Sequence, residues 1–151
     1  MNDDAANEPA DGPGERVELE PGIDGAAKPA PGAESEAVIL FAHGSRAAEA
    51  NEWHRRICRE LAARTGRRVE PAFLELAMPD LRETALNLWR EGWRRAVVVP
   101  YLLAPGRHAR EDLPALVDAI NAELGREMVR LNPIFGEDPA LLDVLAGQIS
   151  A

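Results

Sequence analysis

From residue 37 onward the chain alternates short apolar runs with longer stretches in which apolar residues return every three or four positions. AVILF (37–41) is the first run, and behind it Ala50, Trp53, Ile57 and Leu61 stand at helix-face spacing. VEPAFLEL (69–76) predicts a second strand, followed by a helix opened by Pro79 with Leu81, Ala85 and Leu88 on one side. AVVVPYLL (96–103) is the most strand-like run of all. Leu113, Leu116, Val117, Ile120 and Leu124 then form an amphipathic stripe that Gly125 stops. MVRLNPIF (128–135) predicts a weaker fourth strand, after which Asp138 and Pro139 cap and open a last helix using Leu141, Leu142, Leu145 and Ile149. Strand then helix, four times over, implies an α/β fold: a small open four-stranded parallel sheet with helices on both faces. The apolar runs are continuous, as suits parallel strands covered on both sides.

Composition changes the picture upstream of this pattern. Residues 1–36 hold Pro9, Pro13, Pro21, Pro29 and Pro31, with ten Asp and Glu against Arg16 and Lys28. Such a stretch buries too little apolar surface to offset its ordering entropy, so a disordered acidic Pro/Gly/Ala-rich tail is expected over 1–36 and one domain over 37–151. The tail carries most of the net charge of −9, leaving the domain nearly neutral, with no clustered basic face for a nucleic-acid partner. The single cysteine, Cys58, excludes an intramolecular disulfide and a cysteine metal cluster, which suits a reducing cytoplasm. MNDDAANEPA lacks the basic start and apolar core of a secretion signal, and no apolar run approaches membrane-spanning length.

In open parallel sheets ligands sit beyond the carboxyl ends of the strands. There the first run delivers His43-Gly44-Ser45-Arg46, the second Glu75, and the third Pro105-Gly106-Arg107-His108. Two imidazoles and a carboxylate on one sheet edge are natural ligands for a divalent ion of the iron, cobalt, nickel or zinc group. Singly, His43 reads as a helix-capping histidine, Glu75 as a surface strand residue and His108 as a loop residue. Only the shared edge makes them a site. Arg46, Arg107 and Arg110 flank the same opening and could grip carboxylates through paired hydrogen bonds. Ser45 lacks the G-x-S-x-G elbow of a hydrolase nucleophile and reads as the N-cap of the first helix, or as a hydrogen-bonding partner for a ligand. His54, beside Arg55 and Arg56, reads as a partly exposed surface histidine; Trp53, Trp89 and Trp93 read as helix packing residues.

VILFAHGSR, PAFLELAMPDL and VVVPYLLAPGRHAREDLPALV together resemble the short single-domain form of the CbiX/SirB family of sirohydrochlorin chelatases. The likeness runs over most of residues 37–145, with the motifs in order. It implies a flavodoxin-like α/β layer and a class II chelatase that inserts Co²⁺, Fe²⁺ or Ni²⁺ into a tetrapyrrole without ATP, in siroheme or cobalamin biosynthesis. The metal would then be a substrate, with no tightly bound cofactor, and short members are expected to pair as homodimers. The family's two metal-site histidines fall on His43 and His108, its acidic residue on Glu75, and Ser45, Arg46, Arg107 and Arg110 would meet the macrocycle. Two positions depart from the family's usual glycines: Ala42 before the first histidine and Arg107 before the second. Other classes compatible with the residues are a metal-carrying or sensing module without insertion activity, and an anion-binding α/β domain using HGSR. The second lacks both a G-x-G-x-x-G fingerprint and a P-loop.

Overall fold

The computed structural model describes residues 35–104, 106 and 108–150, without the side chain of His108; residues 1–34 of the tail predicted over 1–36, Pro105, Arg107 and Ala151 lie outside the described residues. In chain order come β1 (Ala37–Ala42), α1 (Ala48–Thr65), β2 (Val69–Phe73), α2 (Leu81–Arg90), β3 (Ala96–Pro100), α3 (Leu113–Leu124), β4 (Val129–Leu131) and α4 (Ala140–Ile149). A π-helical turn, His108–Asp112, leads into α3, and a 3-10 turn, Phe135–Glu137, precedes α4.

The strands form one parallel sheet in the order β2-β1-β3-β4. The chain therefore steps outward from β1 to β2, crosses back over β1 to β3, and continues to β4. That reversal places the helices on opposite faces. On one face Leu40 and Val69 pack with Cys58 of α1. On the other, Ile39, Phe41 and Val98 pack with Leu81, Ala85 and Leu88 of α2 and Leu113, Val117 and Ile120 of α3. Each fully buried Leu, Ile, Val or Phe among these contributes roughly 1.5–3 kcal/mol relative to exposure. Pro71 is accommodated because β2 is an edge strand.

The fold expected from the sequence is therefore present, with differences in detail. β2 ends at Phe73 and β3 at Pro100, each three residues short of its apolar run. α1 turns Asn51, His54 and Cys58 inward, while Ala50 is exposed and Trp53 is 60% exposed. Asn51 sets this rotation: its Oδ1 accepts from the Ser45 N–H at 2.9 Å and its Nδ2 donates to the Ser45 carbonyl at 2.7 Å, fastening the helix's inner face to the β1–α1 loop. Trp93 is buried in the turn after α2 rather than on a helix. Asp80, one residue beyond Pro79, is the N-cap of α2 and accepts from the Glu83 N–H at 2.7 Å. In α4, Leu142, Leu145 and Ile149 of the predicted stripe are exposed, as is Val144, while Leu141 is half-buried, so most of this apolar surface is uncovered in the single chain.

Glu36, counted with the tail, is anchored. Its carboxylate accepts from Arg130 at 2.7 and 2.9 Å and from Arg67 at 3.2 Å, and the bond to Arg130 holds its pKa below the usual range. Among the described residues no helix is long and apolar enough to cross a membrane.

Candidate metal-handling site

The carboxyl ends of β2, β1 and β3 lie side by side, and the topology reverses between β1 and β3, where open sheets form crevices. Parallel pairing continues past the formal strand ends. The Leu74 N–H donates to the Ala42 carbonyl at 2.9 Å and the Glu75 N–H to the His43 carbonyl at 3.1 Å. This ladder brings His43 and Glu75 together: Nε2 of the imidazole lies 3.6 Å from Oε1 of the carboxylate, with both side chains about half exposed at 52% and 56%. At that exposure the pair adds little stability.

Gly44 lets the two loops close on each other. Its φ is +91°, and a Cβ at that position would fall 1.9 Å from the Glu75 carbonyl oxygen. On the other side of β1, the Tyr101 N–H donates to the Phe41 carbonyl at 2.7 Å, so the loop after β3 also leaves along this edge. That loop runs to His108, whose backbone opens the π-helical turn before α3. The structure thus joins His43 with Glu75; the side chain of His108 and all of Arg107 fall outside the described residues. Among the described residues no group of three or more His, Cys, Asp or Glu side chains is placed to hold a metal ion.

Ser45 does not cap α1, whose N-cap is Ala47. Its hydroxyl instead accepts from the Ala47 N–H at 3.1 Å, and its backbone is fastened by Asn51, so its role is to shape the loop behind His43. Arg46 is exposed at the mouth of the edge. Arg110 reaches toward Glu137, Nη2 to Oε1 3.3 Å, an exposed pair that a stronger carboxylate partner can replace at little cost.

Leu76 (52% exposed), Met78 (59%), Tyr101 (38%) and Leu103 (71%) stand on the loops that follow β2 and β3, the first of which carries Glu75. Leu76 occupies the left-handed region, φ +62°, where the β2 loop turns. The apolar runs of the sequence absorbed Leu76, Tyr101 and Leu103 into strands, so pattern alone did not mark them as surface. Exposed apolar side chains around a polar centre suit a broad, largely apolar ligand with polar atoms at its middle.

His54 is buried at 4% exposure, contrary to the surface position expected from its arginine neighbours. Nε2 donates to the Leu40 carbonyl at 3.0 Å, which leaves Nδ1 as a buried acceptor without a hydrogen-bond partner. Burial pushes its pKa down, against the bond to Leu40, and Arg55 adds to the lowering. The folded protein therefore keeps His54 neutral at pH values where the unfolded chain has begun to protonate it. Stability from this residue is full above about pH 6.5 and is lost as pH falls below that, by up to about 1.4 kcal/mol per pH unit. Urea unfolding at neutral pH and near pH 5.5 is expected to show a smaller acid loss in His54→Phe than in wild type. Equal losses would refute the assignment.

The CbiX family model matches residues 37–151. The chain is 32% identical over 117 residues to the chloroplastic sirohydrochlorin ferrochelatase of Arabidopsis thaliana, covering 77% of this chain and 52% of that protein. It is 33% identical over 119 residues to the sirohydrochlorin cobaltochelatase of Saccharolobus solfataricus, covering 75% of this chain and 92% of that protein. The chain thus spans about half the length of the plant relative and nearly all of the archaeal one. Among solved structures, a CbiX protein of Marinobacter aquaeolei superposes with a TM-score of 0.64 at 32% identity, over 76% of this chain and 98% of that one.

Proposed function

Because the chain belongs to the CbiX family, we propose that it is a sirohydrochlorin chelatase, inserting a divalent metal into the tetrapyrrole without ATP. The observation that carries this reading is the His43–Glu75 pair, 3.6 Å apart at the carboxyl edge, with exposed apolar side chains on the loops that follow β2 and β3. The similar plant and archaeal enzymes are named for iron and cobalt, and an imidazole–carboxylate pair accepts either, so both metals are assigned, with nickel as a third candidate.

Insertion exchanges one M²⁺ for the two protons on the macrocycle's pyrrole nitrogens. The incoming ion is a substrate, and the ring nitrogens become its final ligands. His43 and His108 bind the ion and accept the pyrrole protons, since an imidazole can serve as metal ligand or as proton acceptor. Glu75 balances the charge on His43 and passes protons to solvent. Arg46, Arg107 and Arg110 meet the macrocycle's peripheral carboxylates, Arg110 by exchanging Glu137 for a substrate group. No tightly bound cofactor is needed.

Pairing of two copies belongs to the same reading. A pair would give the opening a second wall, and the uncovered leucines of α4 supply apolar surface for such contact. A purely monomeric sedimentation profile at micromolar concentration would remove this part. The setting is the cytoplasm, where the buried Cys58, its thiol pushed up to about 12, stays reduced and unreactive.

The test is direct. Purified protein mixed with sirohydrochlorin and Co²⁺, Fe²⁺ or Ni²⁺ in turn is expected to accelerate the shift in visible absorption that accompanies metal insertion. Metal binding with no acceleration over the protein-free mixture would instead mark a carrier or sensor module.

A further inference from the structure

We propose that Tyr101 is a substrate-contacting residue, its ring forming one wall of the tetrapyrrole site, and that the buried His54 is the positioning residue that holds it there. The inference rests on the chelatase reading and adds a recognition element that neither the metal-site motif nor the family likeness assigns to these two residues.

Tyr101 is the sole tyrosine of the chain and keeps 38% of its surface exposed, although it directly follows the buried Pro100. It is nonetheless held on several sides. Its N–H is fixed to the Phe41 carbonyl at 2.7 Å, two residues before His43. Its ring stacks on His54, with centroids 6.0 Å apart and planes 22° apart, and meets Phe135 at 5.4 Å. His54 is itself locked, by the bond from Nε2 to the Leu40 carbonyl and by an edge contact with Phe73 at 5.1 Å. An aromatic ring that is immobilised yet exposed offers contact area at low entropic cost, and its hydroxyl remains a donor for a carboxylate.

The cost of keeping His54 in this place points the same way. A buried Nδ1 without a hydrogen-bond partner is unfavourable, and a plain apolar residue would avoid it. A histidine provides what an apolar residue lacks: a flat ring whose orientation is fixed by a hydrogen bond to β1. The result is a continuous support running from β1 through His54 to Tyr101, ending at the edge that carries His43 and Glu75.

The decisive experiment uses the full chain and metal-free sirohydrochlorin. With 3-fluorotyrosine incorporated, the protein gives one tyrosine ¹⁹F resonance, and tetrapyrrole addition is expected to shift it. Tyr101→Leu is expected to raise the Kd for metal-free sirohydrochlorin, and its KM in cobalt insertion, roughly tenfold, while KM for Co²⁺ and kcat change less than about twofold; Tyr101→Phe raises the first two only about threefold. His54→Leu shifts the tetrapyrrole KM in the same direction, and the double variant is no worse than Tyr101→Leu alone, because His54 acts through Tyr101. A silent fluorine resonance under saturating sirohydrochlorin, or an unchanged Kd in folded Tyr101→Leu, would overturn the inference. If the wild type inserts no metal but its sirohydrochlorin binding depends on Tyr101, the chelatase reading fails while the binding wall stands. Absence of any tetrapyrrole binding by the wild type sinks both.

Discussion

Replacing His43 with alanine is expected to lower the rate of cobalt insertion into sirohydrochlorin by roughly 10²–10⁴-fold, the range for loss of a positioned proton-transfer group. On the proposed reading the substitution removes a metal donor and a proton acceptor at once, at a side chain about half exposed to solvent. It empties no core space, so stability should stay within about 0.5 kcal/mol of wild type. The loss is then chemical rather than structural, and circular dichroism with urea unfolding separates the two. Glu75→Gln keeps the shape and removes the charge 3.6 Å away; a smaller loss, about 10–100-fold, is expected for a group that acts by supporting a ligand. If the pair works as a unit, the double variant loses no more than His43→Ala alone. Wild-type insertion by folded His43→Ala would end this assignment.

Much of this arrangement was legible in the order of runs and stripes. Continuous apolar runs alternating with helical stripes admit few architectures besides a parallel sheet covered on both faces, and that is what forms. His43 and Glu75 were legible because the carboxyl edge of such a sheet is fixed by topology. Their contact followed from the ladder that carries pairing past Ala42 and Phe73. The apolar rim was misread for a physical reason: Leu76, Tyr101 and Leu103 are as apolar as the strand residues before them. A counting argument could have found them. Runs of eight residues cannot pair fully with a central strand of six, so the ends of both partners had to leave the sheet together.

His54 was misjudged because two arginines follow it, and local charge outweighed periodicity. The stripe Asn51, His54, Cys58 has proper helical spacing, but only Cys58 is apolar. A helix face defined by hydrogen bonds to a loop and to a strand carbonyl is invisible to a hydrophobicity pattern. The α4 leucines show the converse limit. Periodicity reports that a face is apolar, not what covers it.

Gly44→Ala is expected to cost both stability and activity, and the two losses have one cause. At φ +91° an L side chain is strained, at about 1–3 kcal/mol. The added Cβ would also fall 1.9 Å from the Glu75 carbonyl oxygen, a backbone atom that cannot rotate away. Relieving the clash means pushing the β2 loop off β1, against the bond from the Glu75 N–H to the His43 carbonyl, and overpacking of this kind adds about 1–3 kcal/mol more. Urea unfolding should therefore show a loss of about 2–6 kcal/mol. Gly66→Ala is the control: its φ is also positive, +66°, but nothing lies within 4 Å of the new Cβ, so only the conformational part, about 1 kcal/mol, is expected. The difference between the two variants isolates the contact with Glu75. Where Gly44→Ala still folds, the displaced loop carries Glu75 away from His43, and a shift of about 1 Å at a reacting group is enough to cost roughly 10²-fold in rate. Stability loss matching Gly66→Ala, with insertion unimpaired, would mean that the two loops need not touch for the imidazole and the carboxylate to act together.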